Sequence, residues 1–421
     1  MGLGAFVKPS LKQDTTPARR KKFLTGDLIL VTVVTALCIF GLLMVFSAST
    51  DYSLQAYRET KSAAVAPYFI FYKQVILMLA GIAVAVIVSR IDYHIYFKLA
   101  IPMMAGTLLL LLFVLIFGEN VLGSRRTFIA GSLQPSELAK LVIIIYLAVW
   151  LYNRRDQLQD VVLGLIPLAV ILGFIGGLII LEPDISAAIT IVLLGGLLFF
   201  LAGGNLKQIF ILILIAIFFV WLVVQFPNAG SDRLTEYISG LKNPLQSSDH
   251  MLYSLESIVN GGFFGVGIGN AALKVEGLPF AATDSIFAVI VEELGLLGAF
   301  LLVALYGVLV WRGWRIAEKT SDMFGKILAG GITFWIGIEA AINMAVMVGL
   351  MPFAGNALPF ISAGGSSLLS LLAGIGIMVS ISRLPGNRSP DPIIEERRTY
   401  GATVDLRRGD RRRSIPRPRR P

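Results

Sequence analysis

Apolar residues gather into ten long runs, at about 28–47, 68–89, 97–117, 137–152, 162–181, 186–202, 206–226, 285–311, 325–350 and 358–382. Each run has the length and low polarity of a helix that crosses a bilayer, for which about 20 apolar residues suffice. The pattern predicts an all-α polytopic membrane protein of about ten transmembrane helices. A large polar insertion, 227–284, separates helices 7 and 8. The first run follows Arg19, Arg20, Lys21 and Lys22 and ends near Ser47-Ala48-Ser49, as a cleaved signal peptide would. Its apolar stretch from Leu28 to Phe46 is longer than a usual signal core, so it is read as a retained helix.

Composition agrees with this class. Of the 421 residues, 56% are apolar and 15% charged, which leaves no water-soluble core to build. One cysteine and two histidines exclude a disulfide framework and a Cys/His metal cluster. With the N-terminus inside, 27 of the 36 lysines and arginines fall on the cytoplasmic side. The net charge of +9 is therefore read as membrane sidedness, and no nucleic-acid partner is expected. This divides the chain into a basic cytoplasmic arm (1–26), a membrane domain (27–384) and a disordered Arg/Pro-rich cytoplasmic tail (385–421). The tail is read as a solvated arm attracted to anionic lipid, with a specific cytoplasmic partner as the alternative.

The same topology places 118–136, 182–185, 227–284 and 351–357 outside, where most of the Pro- and Gly-rich polar sequence lies. An insertion as long as 227–284 is more than a connector, so the chemistry is expected to be extracytoplasmic. Arg125 and Arg126 offer paired guanidinium forks for phosphate oxygens, or sit among lipid headgroups. Glu137 and Lys140 share one face at the start of the fourth helix, as a site or as a stabilising pair. In Glu182-Pro183-Asp184-Ile185-Ser186, the two carboxylates hold a cation or a sugar hydroxyl, or Asp184 merely caps the sixth helix. The string Gly261 to Asn270 lacks the Lys-Ser/Thr of a nucleotide loop and reads as a flexible or re-entrant turn.

Asp284 falls at the outer start of the eighth helix, where the helix dipole favours an ionised carboxylate able to accept a proton; its plainer role is an N-cap. Glu292 and Glu293 follow, the latter about 13 Å further along the axis at 1.5 Å per residue. Carboxylates at that depth need an internal ion partner or a wet cavity. Glu339 and Asn343 are one turn apart on the ninth helix. Ser366 and Ser367, after Gly364-Gly365, open the tenth with free N–H groups suited to a phosphate, or serve a close helix crossing.

Taken together and in this order, these strings resemble the SEDS family of peptidoglycan glycosyltransferases, whose members include FtsW and RodA, with a slight lean towards FtsW. The resemblance covers all ten helices. It implies a multi-pass enzyme of the bacterial cytoplasmic membrane with both termini cytoplasmic, polymerising lipid II on the outer face in division or elongation. It implies Asp284 as the catalytic base. Arg125, Arg126, Glu137, Lys140, Asp184, Glu292, Glu293, Ser366 and Ser367 are expected around the substrate. A divalent cation, Mg2+ or Mn2+, is a possible aid to the leaving pyrophosphate, with no ligands assignable. The implied partners are a class B penicillin-binding protein transpeptidase and other divisome or elongasome membrane proteins. The chain departs from the family pattern at Thr127, Ser186, Glu256, Phe280, Ala282, Ser285 and Glu339; family members commonly carry Glu at 280 and His at 282. Two rival classes share the pattern: a flippase for the lipid-linked precursor, and a noncatalytic scaffold of wall synthesis.

Overall fold

A computed structural model describes residues 27–60, 68–121, 124–127, 134–182, 184–224, 231–243 and 247–383. The expected arm and tail, 1–26 and 385–421, lie outside the described residues. The chain runs through α1 (Leu28–Thr60), α2 (Phe69–Arg90) and α3 (Ile95–Phe117), then a short ribbon of β1 (Glu119–Val121) and β2 (Ser124–Thr127). There follow α4 (Pro135–Arg154), α5 (Ile166–Leu181, entered through a π-turn at Val161–Leu165), α6 (Ile185–Leu201) and α7 (Leu206–Val224). The insertion holds α8 (Ser231–Lys242), α9 (Asp249–Gly261) and α10 (Leu273–Glu276). The chain closes with α11 (Ile286–Lys319), α12 (Met323–Met347) and α13 (Gly365–Arg383).

Eight helices are long and apolar enough to cross a membrane, and two shorter apolar helices, Ile185–Leu201 and Leu206–Phe218, occupy the remaining expected positions. The chain is a multi-pass, helical membrane protein. The antiparallel ribbon, pairing Asn120 with Arg125, is the one exception to all-α structure among the described residues.

Three expected boundaries differ. The first helix continues thirteen residues past 47, because no glycine or proline follows Gly41 until Pro67. The eighth reaches Lys319 but is broken at Gly295, whose φ of 68° is non-helical. The tenth starts at Gly365, since 358–364 forms a turn with Phe360 in the left-handed region at φ 65°.

Local signals account for the starts. Pro135 occupies the first turn of α4, where its missing N–H costs nothing. Asp322 caps α12, accepting from Gly325 N at 2.7 Å. α4, α12 and α13 form the buried centre, while α2 is largely exposed and packs on α13. The α2–α13 crossing depends on small residues: a Cβ on Gly376 would lie 2.7 Å from the carbonyl oxygen of Ala85.

The glycine string of the insertion plugs the break in α11. Gly295 leaves carbonyls and N–H groups on either side without helical partners. Val266 N and Gly267 N donate to the carbonyls of Glu292 and Glu293, at 3.0 and 2.9 Å. Leu296 N and Leu297 N donate to the carbonyls of Gly262 and Phe263, at 3.0 and 3.2 Å. A Cβ on Gly265 would stand 2.2 Å from the carbonyl oxygen of Glu293, so only glycine admits this approach.

Candidate functional site

Asp284 lies on the turn that enters α11, one residue before the cap position at Ser285. The turn is anchored at Phe280, whose carbonyl accepts from Thr283 N at 2.9 Å, Thr283 Oγ1 at 3.2 Å and Ser285 N at 3.2 Å. Three further donors hold successive carbonyls. Ala363 N reaches Ala282 O at 2.9 Å, Ser362 Oγ reaches Thr283 O at 2.6 Å, and Asn343 Nδ2 reaches Asp284 O at 2.8 Å. The backbone under Asp284 is thus fixed from α12 and from the loop before α13. Its carboxylate faces Gly355, where a Cβ would lie 3.5 Å from Asp284 Oδ2.

A second centre sits at the start of α4. Lys140 Nζ donates to Glu137 Oε1 at 2.9 Å and to Glu339 Oε1. All three side chains are buried, so two carboxylates share one ammonium. Asp184 caps α6 by accepting from Ala187 N at 3.1 Å. Its other oxygen accepts from Gln134 Nε2 at 2.8 Å and Ser136 Oγ at 2.9 Å, which ties α6 to α4. Ser366 Oγ accepts from Gln134 N at 3.2 Å, bringing the start of α13 to the same point, and Ser367 is buried beside it. Glu137, Lys140, Asp184, Ser366 and Ser367 therefore converge on one end of α4. The two centres communicate through α12: Asn343 also donates to Asn356 O at 2.5 Å, and Asn343 lies one turn beyond Glu339.

Glu292 and Glu293 contact the insertion, and Glu293 also contacts α1. Glu292 Oε1 accepts from Ala272 N at 3.0 Å, at the start of α10. Glu293 Oε1 accepts from Ser47 Oγ at 2.5 Å and from Lys274 Nζ at 3.1 Å. This is the internal ion pair weighed above; it joins α1, the insertion and α11. Arg125 and Arg126 lie on β2, against α3 and the start of α4, and their side chains fall outside the described residues.

Glu182, just after α5, is fully buried, and among the described residues neither of its oxygens has a hydrogen-bond partner. Burial, and then the charge of Asp184, pushes its pKa up to about 8. Among the described residues, no group of three or more His, Cys, Asp or Glu is placed to hold a metal ion. The cation expected from the resemblance has no such donor set among the described residues.

Several site residues carry no sequence signal of their own. Asn356 and Ser362 act through bonds to backbone carbonyls, Gln134 bonds Asp184 through its side chain and Ser366 through its N–H, and Lys274 meets Glu293 across the turn before α11. His250 arrives from α9, stacked with both Phe353 and Phe280 and 3.4 Å from Ser285 Oγ.

Comparison with known proteins agrees with this arrangement. The FtsW/RodA/SpoVE family model, described as a cell cycle protein, matches residues 27–385. The chain is 37% identical over 360 residues to a probable peptidoglycan glycosyltransferase FtsW of Trichlorobacter lovleyi, covering 85% of this chain and 93% of that one. Its fold matches the crystal structure of the Thermus thermophilus rod shape determining protein RodA with a TM-score of 0.64 at 26% identity, covering 87% of this chain and 99% of that one. A chain from a peptidoglycan synthase complex, studied for the coordination of polymerization and crosslinking, matches with a TM-score of 0.70 at 26% identity over 86% of this chain and 98% of that one.

Proposed function

The chain belongs to the FtsW/RodA/SpoVE family of cell cycle proteins, and from that premise we infer that it is a peptidoglycan glycosyltransferase that polymerises lipid II. Supporting this reading is one observation above all: three carbonyls in succession under Asp284 are pinned by donors from two other elements. A rigid carboxylate at the head of a helix is what a proton-accepting group requires.

In this reading an acceptor sugar hydroxyl attacks the anomeric carbon of a lipid-linked sugar. Asp284 takes the hydroxyl proton as the new O–C1 bond forms. The C1–O bond to the pyrophosphate breaks, and its electron pair leaves with that group. One displacement inverts the α-linked donor to a β-linked product, so no second nucleophile is needed. Arg125 and Arg126 receive the departing pyrophosphate, whose charge two guanidinium forks match. The reaction takes place on the outer face of the cytoplasmic membrane, with both termini inside. A synthase that crosslinks the product, a class B transpeptidase, is the partner suggested by the relative found in a complex coordinating both activities.

The test is Asp284→Asn, which keeps shape but cannot accept the proton. Fluorescent lipid II is given to purified protein in detergent and products are resolved by length. Polymer from the unmodified protein and a loss of about 10²-fold or more in the variant, at equal Tm, is the expected result. Polymer from both removes Asp284 from the mechanism. No polymer from either, with lipid II crossing sealed vesicles, establishes the flippase instead.

A further inference from the structure

On the turn that carries Asp284, an aromatic side chain stands out into the open. Phe280 is 47% exposed, although its backbone sits in the left-handed region at φ 54°, which a β-carbon disfavours. Its carbonyl accepts three hydrogen bonds from Thr283 and Ser285, so the residue is held there by the same frame that fixes Asp284. The ring is one of three that stack. His250 lies nearly parallel to it, with centroids 5.6 Å apart and planes 5° apart, and Phe353 also stacks on His250, at 3.8 Å and 13°. Phe353 and the Asp284 carboxylate both border Gly355, where a Cβ would be 3.8 Å from Phe353 Cε1 and 3.5 Å from Asp284 Oδ2.

We propose that the Phe280–His250–Phe353 stack is a sugar-binding platform, on which Phe280 receives the pyranose ring nearest the reacting hydroxyl. This rests on the reading of Asp284 as the proton acceptor. The electron-rich face of an aromatic ring attracts the slightly positive C–H face of a pyranose, and the sugar's hydroxyls stay at the rim, free for polar groups. Position selects the sugar over the rest of the substrate. A hydroxyl that gives its proton to Asp284 must lie within hydrogen-bond reach of it. The ring bearing that hydroxyl therefore lies beside the same five-residue turn, whose other end is Phe280. His250 and Phe353 are positioning residues: they hold the Phe280 plane.

The platform is tested with full-length protein in detergent. Phe280→Leu keeps an apolar side chain but removes the ring face, and is expected to raise the KM for lipid II about tenfold while lowering kcat far less. Phe280→Tyr should restore KM. Inhibition by undecaprenyl pyrophosphate, which carries the lipid and phosphates but no sugar, should be as strong against Phe280→Leu as against the unmodified protein. Equal weakening of lipid II and undecaprenyl pyrophosphate would mean that the ring meets the hydrocarbon chain, and an unchanged KM would mean that it meets neither; both overturn the platform. Where Phe280→Leu has a lowered Tm, His250→Gln reads the same loss, because it keeps a polar group near Ser285 and removes the middle ring. Binding of lipid II is also measured in an Asp284→Asn background without turnover. A tenfold loss there on adding Phe280→Leu supports the platform even if the polymerase reading fails, and equal binding overturns it even if polymerisation is observed.

Discussion

Asn343 Nδ2 lies 2.8 Å from the carbonyl oxygen of Asp284 and 2.5 Å from that of Asn356. One buried amide on α12 thus fastens both the turn of the candidate base and the loop before α13. It also shares its helix face with Glu339, so the position of Asp284 is tied to the charged centre on α4.

Replacing Asn343 by leucine removes both donated bonds, the one to the buried Asn356 carbonyl at about 1–3 kcal/mol. Because a displacement near 1 Å can cost about 10²-fold in rate, Asn343→Leu is expected to lower kcat for polymer synthesis at least about tenfold. Single-turnover kinetics with lipid II measure it; an unchanged kcat would show that the turn keeps its place without this amide.

Lys140 stands between Glu137 and Glu339 with its ammonium buried. Lys140→Met leaves two carboxylates with no cation, and breaking a buried pair costs about 3–5 kcal/mol. The variant should therefore lose folded yield and Tm in detergent. Adding Glu137→Gln and Glu339→Gln removes the stranded charges and should recover most of the Tm. A triple variant no better than Lys140→Met would mean that the lysine stabilises the bundle by packing alone.

The helices were legible in the sequence because uniform apolarity over about 20 residues needs no knowledge of neighbours. Phe69–Arg90 and Ile95–Phe117 begin and end within a few residues of the runs that predict them. The convergence of Glu137 and Lys140 was legible for a similar reason, since residues three apart on a helix share a face. What the sequence hides are contacts made across breaks. Lys274 and Glu293 are 19 residues apart, on either side of a turn, and no periodicity links them. The role of Gly261 to Gly269 is equally invisible until Gly295 opens the helix that they enter. Asp184 shows a third case: its capping role follows from sequence, but its bond to Gln134, 50 positions away, does not.

Gly295 has φ 68°, and a Cβ there would lie 2.4 Å from the carbonyl oxygen of Phe263. Gly295→Ala must therefore either strain the backbone or push the glycine string out of the break, at about 2–4 kcal/mol. A fall in Tm of at least about 5 °C is expected. Gly307→Ala on the same helix, where a Cβ meets nothing within 4 Å, serves as the control and should hold or raise Tm. Equal melting of the two variants would show that the break tolerates a side chain.

Glu182 has no hydrogen-bond partner among the described residues, and its pKa is pushed up to about 8 by burial and by Asp184. An unfolded glutamate releases its proton near pH 4.5. Between those values the unfolded chain is deprotonated at this position while the folded chain keeps the proton. The contribution of Glu182 to stability is therefore full below about pH 4.5, declines as pH rises through the window, and is lost above about 8. A neutral amide escapes this decline. Glu182→Gln should melt at a higher temperature than the unmodified protein at pH 7.5, by a few degrees. The gap should widen from pH 5 to pH 8 and then level off, because all other titrating groups cancel in the difference. Tm measured for both proteins across that range decides it: a gap that is constant or negative would mean that Glu182 finds a compensating partner and is ionised in the folded protein.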